Sequence, residues 1–339
     1  MIAWTGRGHT FTSPNGRSPV TSEFDLIRKY FFRPSPSAIL GGGDDCALVV
    51  PAPGMELAIS TDMLVEGTHF PEGTHPAAIG HKALAVNLSD LAAMGARARW
   101  SLLSIAMPDV DEAWTAVFAT GFFKLAEQHG VELIGGDTTR GPLTLSLTVM
   151  GEVPQGMALR RSGAKVGDDI WLSGETGGAA LALADLQGRL DEPPASGLRA
   201  SLVRLEYPEP RLELGMKLHN LAHSAIDVSD GLVADLGHIA AASGVAAQVR
   251  YDALPRPADF SGIPEALAQD CLLSGGDDYE LLFTAPVGVR EKVQELSNDL
   301  GLRLSRIGTM VPGRGEVVVL RADGAPMTLS RRGYDHFAK

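Results

Sequence analysis

Leu143, Leu145, Leu147 and Val149 alternate with Thr144, Ser146 and Thr148, the two-residue period of a strand with one buried face. Short apolar runs at 46–50, 57–62, 102–107 and 131–134 also predict strands, the first two parted by a Pro51-Ala52-Pro53-Gly54 turn. Helical spacing appears between them. A short amphipathic helix opens at Ser22, and a long one runs from Pro76 to about Met94 with Ile79, Ala83, Val86 and Asp90 in phase. Asn87 and Asp90 are i,i+3 neighbours, so this mostly apolar helix carries polar groups on one face. Residues 111–129 form a further helix, closed by Gly130.

The pattern pauses at 153–156 and then resumes. Strands are expected at 170–172, 225–228, 246–251, 280–284 and 316–320, and helices from 178, near 212–221, at 232–242 and at 290–300, with a polar loop at 191–197. Mixed strands and helices on both sides of the pause predict an α/β fold in two domains, 22–155 and 156–339. Residues 1–21, rich in Gly, Ser, Thr and Pro and without periodicity, are expected to be a flexible tail.

A length of 339 residues accommodates two domains. The net charge of −12 argues against a nucleic-acid partner. Two cysteines, Cys46 and Cys271, make no disulfide framework. Neither a secretory signal nor an apolar run of membrane-spanning length occurs, so a cytoplasmic protein is expected.

The acidic residues add chemistry. Six clusters place Asp in Gly, Ser or Thr turns at the ends of apolar runs: Gly43-Asp44-Asp45, Ser60-Thr61-Asp62, Asn87-Leu88-Ser89-Asp90, Gly135-Gly136-Asp137, Asp227-Val228-Ser229-Asp230-Gly231 and Gly275-Gly276-Asp277-Asp278. Any one of them is explained by turn and capping chemistry. Six together are specifically acidic, where ordinary turns draw equally on Asn, Pro and Lys. Two carboxylates about 4 Å apart repel by roughly 4 kcal/mol at an effective dielectric near 20, so a cleft lined by several calls for cations. Hard oxygen donors with little Cys or His nearby suit Mg²⁺ combined with substrate phosphates. No Walker loop, protein-kinase set, G-x-G-x-x-G, G-x-S-x-G or H-E-x-x-H occurs.

In order, the clusters resemble the thiamine-monophosphate kinase family of the aminoimidazole-ribonucleotide-synthetase superfamily. The resemblance runs over about residues 22–337. It is carried most specifically by the block from Lys82 to Ala96, with Ile134-Gly135-Gly136-Asp137-Thr138-Thr139-Arg140-Gly141, Arg161-Ser162-Gly163-Ala164, Ser274-Gly275-Gly276-Asp277-Asp278-Tyr279-Glu280-Leu281 and Gly333-Tyr334-Asp335-His336-Phe337. It implies two α/β domains meeting at a cleft, with N-terminal sheets pairing into a barrel across a homodimer. The implied reaction is direct transfer of the γ-phosphoryl of ATP, with several Mg²⁺ ions, onto thiamine monophosphate, the last step of thiamine diphosphate biosynthesis. By position, Asp45, Ser60, Thr61, Asp62, Asp90, Asp137, Asp227 and Asp230 resemble metal ligands. Gly136, Asp137, Arg161 and Ser229 resemble ATP contacts, and His69, Asp277 and Tyr334 substrate contacts. No dedicated catalytic side chain is implied, because an acceptor phosphate oxygen is already ionised near neutral pH. The chain departs from the family in two places: Gly42 stands for an aliphatic residue, and Asp277 for the usual Glu, one methylene shorter.

Other superfamily members are alternatives. Selenophosphate synthetases need a nucleophilic Cys or selenocysteine near the N-terminus, and the hydrogenase-maturation member a C-terminal Cys; neither occurs here. From another class, a non-catalytic binder of thiamine nucleotides would not need every acidic ligand.

Overall fold

Two sheets organise the chain, and one helix is packed against elements of both. The computed structural model describes residues 22–190 and 197–334. The expected tail at 1–21, most of the polar loop at 191–197 and the Asp335-His336-Phe337 end of the closing segment lie outside them.

Ser22 caps α1 (Glu23–Leu26), its hydroxyl accepting from the Asp25 N–H while the Asp25 carboxylate reaches back to Ser22. The first sheet holds β1 (Met55–Val65), β2 (Arg97–Met107), β3 (Glu132–Arg140) and β4 (Thr144–Pro154) in the order β1-β4-β2-β3. β2 and β3 run parallel, joined by α3 (Glu112–His129); the other pairs are antiparallel. Residues 144–149 of β4 alternate as their sequence predicts, with Leu145, Leu147 and Val149 fully buried, and from Met150 to Val153 every residue is buried. α2 (Pro76–Ala93) lies on that buried side, and α3 packs on it so closely that a Cβ at Gly121 would lie 2.0 Å from the Ala77 carbonyl oxygen. Gly130 closes α3 in the left-handed conformation, φ 65°.

The second sheet has the order β10-β7-β9-β5-β8-β6. It contains β5 (Asp169–Ser173), β6 (Ser224–Asp227), β7 (Ala246–Arg250), β8 (Leu281–Ala285), β9 (Leu304–Val311) and β10 (Val317–Leu320). Its helices are α4 (Gly178–Leu186), α5 (Arg199–Glu206), α6 (Leu212–Lys217), α7 (Leu232–Ser243), α8 (Glu265–Ser274) and α9 (Arg290–Leu300). One continuous core unites Leu84, Leu88 and Leu91 of α2 with Leu212 and Leu214 of α6 and with Leu281 and Phe283 of β8.

Several expectations are corrected. Residues 46–50 form no strand: Leu48 makes a single bridge to Leu40 and, with Val50, is exposed. The helix expected at 212–221 stops at Lys217. α5, α8 and β9 were not expected. In β9 burial recurs at Leu304, Ile307 and Met310, because a bulge opposite Ile170 and Trp171 breaks the two-residue period.

Candidate active site

Lys82, Val86 and Asp90 fall one turn apart along α2 and line a single cavity of about 710 Å³. The polar residues beside that stripe fasten the helix to both sheets. Asn87 accepts from the Asp62 backbone N–H at 2.9 Å and donates to the Ala83 carbonyl at 3.0 Å. The Ser60 hydroxyl donates to Asp90 Oδ2 at 2.5 Å, and the Ser89 hydroxyl to Asp227 Oδ2 at 2.7 Å. Ser60 and Asp62 of β1 are thereby set against Asp90, while Asp227 enters from the end of β6.

Two turns of the second sheet complete the wall. Asp235, buried on α7, accepts from the successive backbone N–H groups of Ser229, Asp230 and Gly231 through one oxygen, each at 3.1 Å. Alongside runs the Gly275-Gly276-Asp277 turn, whose Asp277 N–H donates to the Ser229 carbonyl at 2.9 Å. A Cβ at Gly276 would lie 2.2 Å from that carbonyl oxygen, so only glycine permits the approach. Asp277 and Tyr279 hold left-handed backbone, φ 68° and 51°. The Tyr279 hydroxyl donates to Asp277 Oδ1 at 3.0 Å, and the Lys82 ammonium pairs with Asp277 Oδ2 at 3.2 Å. Opposite, His69 Nδ1 accepts from the Val65 N–H at 3.0 Å, which places the ring proton of the neutral form on Nε2.

The carboxylates repel one another. Burial, then the charges of Asp90 and Asp230, pushes the Asp62 carboxyl up to about 6. Burial also raises Asp90, against the Ser60 hydrogen bond and the Arg161 charge, and raises Asp227, with Asp90 adding to the effect. Buried Asp235 is pushed up to about 7, although its three N–H donors oppose the shift. Among the described residues, no three His, Cys, Asp or Glu side chains are drawn together closely enough to hold a metal ion by themselves. Such a donor set suits a hard cation that takes a few carboxylates and completes its shell with phosphate oxygens.

Residues 43–153 match the family model "AIR synthase related protein, N-terminal domain", and residues 165–321 match its C-terminal counterpart. The chain is 47% identical over 321 residues to thiamine-monophosphate kinase of Escherichia coli O157:H7, covering 93% of this chain and 98% of that one. The chain belongs to the thiamine-monophosphate kinase family. Among solved structures it is similar to thiamine-monophosphate kinase from Stenotrophomonas maltophilia K279a, with TM-score 0.80 and 48% identity over 86% of this chain and 93% of that one. It is also similar to AaThiL complexed with AMPPCP and TMP, with TM-score 0.73 and 30% identity over 85% and 89% of the two chains.

The cavity of this thiamine-monophosphate kinase family member is lined by Ser60, Asp62, Asp90, Asp227 and Asp230 of the expected metal set, by Arg161 and Ser229 of the ATP set, and by His69, Asp277 and Tyr334 of the substrate set. Asp45, Thr61, Gly136 and Asp137 do not line it. Thr61 turns to the other face of the first sheet, its hydroxyl donating to the Leu147 carbonyl at 2.7 Å. Asp137, exposed on β3, pairs in register with Ser104, and Asp45 is exposed on a loop. Three contributors escaped the sequence reading. Lys82 shares the phase of Val86 and Asp90, and that spacing was the available signal. Tyr279 and Asp235 had none, since each acts through a partner fixed only by the fold.

Proposed function

We propose that this chain phosphorylates thiamine monophosphate with ATP by direct in-line transfer, giving thiamine diphosphate and ADP. The observation that carries this reading is the convergence of Asp62, Asp90, Asp227 and Asp230 on one cavity in a member of the family. With the Ser60 hydroxyl, these carboxylates would hold Mg²⁺, which when bound neutralises the phosphates of both anionic reactants. Asp62 supports that assignment, because burial and the charges of Asp90 and Asp230 all push its carboxyl up, and a bound cation would oppose them.

The remaining chemistry belongs to positioning. Arg161 presents a planar guanidinium suited to the nucleotide phosphates. The turn at Ser229, its backbone held by Asp235, sets Ser229 at the cavity wall. His69, with its Nε2–H, and Tyr334 line the space assigned to thiamine monophosphate. An ionised acceptor oxygen needs no general base.

We read the two sheets as two domains parting near residue 155, in a cytoplasmic homodimer. No helix among the described residues is long and apolar enough to cross a membrane. The first sheet supports the dimer. Its outer face carries Thr61 and, at the far edge, Asp137, and exposes Ile59 and Met63, 61% and 56%; two large apolar side chains exposed together on one sheet face favour a partner. Pairing two such faces into a barrel would bring Asp137 and Thr61 under cover, and Asp45 and Gly136 keep their metal and ATP assignments on that basis.

The deciding experiment is a turnover assay with ATP and thiamine monophosphate, following ADP and thiamine diphosphate. Product formation that depends on Mg²⁺ and is abolished in folded Asp62→Ala and Asp90→Ala is expected. Nucleotide binding without turnover would overturn the reading. A chiral γ-phosphate should emerge inverted, and light scattering should give twice the chain mass.

A further inference from the structure

We propose that Lys82 binds the phosphate monoester of the acceptor, with Asp277 and Tyr279 as the positioning residues that aim it. This rests on the activity proposed above and adds a residue to its substrate site.

Lys82 is only 4% exposed, on a helix where the buried residues Ala83, Leu84, Ala85 and Val86 follow it. Lysine is seldom buried without a purpose for its charge. The carbonyls of the helix interior are engaged in the helix itself, leaving an ammonium there nothing to bond locally. Among the described residues its ion pair is with Asp277 Oδ2. An ammonium carries three N–H donors, and one carboxylate oxygen takes at most one of them. The others are left to the cavity that Lys82 lines.

Position selects the acceptor phosphate. Lys82 lies eight residues before Asp90, about 12 Å along the helix axis at 1.5 Å per residue. Its ammonium pairs with Asp277 of the substrate set rather than with any carboxylate assigned to Mg²⁺. Lys82 also lines a second cavity, of about 160 Å³, shared with the Phe70–Thr74 loop that follows His69. It therefore stands at the end of the site where the acceptor belongs, as the charge that receives its phosphate. Lysine suits this task as a compact point charge for phosphate.

The arrangement around it is built rather than incidental. One Asp277 oxygen accepts from the Tyr279 hydroxyl and the other faces Lys82. Asp277 and Tyr279 both keep left-handed backbone, a cost that surrounding structure must sustain. Asp277 thus acts on the substrate through Lys82, which gives the shorter carboxylate at this position a role that does not require it to reach the thiamine ring.

The test compares two ligands that differ only in the phosphate. Affinities for thiamine monophosphate and for thiamine are measured by calorimetry with Mg²⁺ present, on the full chain and its variants. Lys82→Met should weaken thiamine monophosphate by about 10–100-fold, the range of a lost charged hydrogen bond, and leave thiamine within about twofold. Lys82→Arg should recover part of the loss, and Asp277→Asn should give a smaller loss confined to the phosphate-bearing ligand. If Lys82→Met does not fold, Asp277→Asn carries the same comparison. A loss shared equally by both ligands, or no loss, overturns the inference and returns Asp277 to the thiamine ring. A parent chain that neither binds nor turns over thiamine monophosphate refutes the proposed activity itself. A parent chain that does so, with an undiminished Lys82→Met, refutes the role of Lys82 alone.

Discussion

Asp235 shows how a residue outside the cavity wall can set its shape. Its one oxygen gathers three successive N–H groups, including the buried one of Gly231. Asp235→Ala would leave them without an acceptor, at about 1–3 kcal/mol of stability for the buried group. Urea unfolding should register that loss, with Asp235→Asn recovering part of it through its remaining carbonyl oxygen. The two cysteines make a second contrast at this scale. Cys271 is 1% exposed, and burial pushes its thiol up to about 11, whereas Cys46 is exposed. A thiol reagent at neutral pH should modify Cys46 rapidly and Cys271 only after denaturation; rapid labelling of both in the native protein would contradict the packing of α8.

Among the elements, α2 was the most legible and the most informative. Its phase gave the face bearing Asp90, yet the partners of Asn87 and Ser89 lie 25 and 138 residues away and could not be read from local pattern. β4 and α3 were equally plain, through the alternation at 144–149 in one and the Gly130 cap in the other. β9 was hidden by its bulge, and the apolar run at 46–50 misled because apolarity there marks an open surface rather than a buried strand. The clustered aspartates disclosed the site's chemistry, but sequence could not say that Thr61 and Asp137 face away from Asp62 within one chain. The α2–α3 crossing makes a prediction of its own. Gly121→Ala would force the helices apart at the Ala77 carbonyl, costing about 1–3 kcal/mol as overpacking, and should lower the calorimetric melting temperature.

At the scale of the whole molecule, the acidic cavity ties stability to pH. Asp62, Asp90, Asp227 and Asp235 all hold their protons more tightly in the folded chain than an ordinary aspartate, whose value is 3.8. The stability they contribute is present below that value and is lost as pH rises through the folded values, about 6 for Asp62 and about 7 for Asp235. Mg²⁺ held by the ionised Asp62, Asp90 and Asp227 would offset the loss. The rise in melting temperature on adding Mg²⁺ should therefore be much larger at about pH 8 than at about pH 5; equal shifts at both would contradict the assignment. The core shared by α2, α6 and β8 has a consequence for how the protein is made. As the chain leaves the ribosome N-terminus first, α2 emerges well before residues 212–218 and 281–283, which complete the packing around it. The nascent first half must wait with part of its core bare, in the aggregation-prone condition that chaperones shelter. Release of a fragment ending near residue 155 should accordingly give insoluble protein rather than a folded domain.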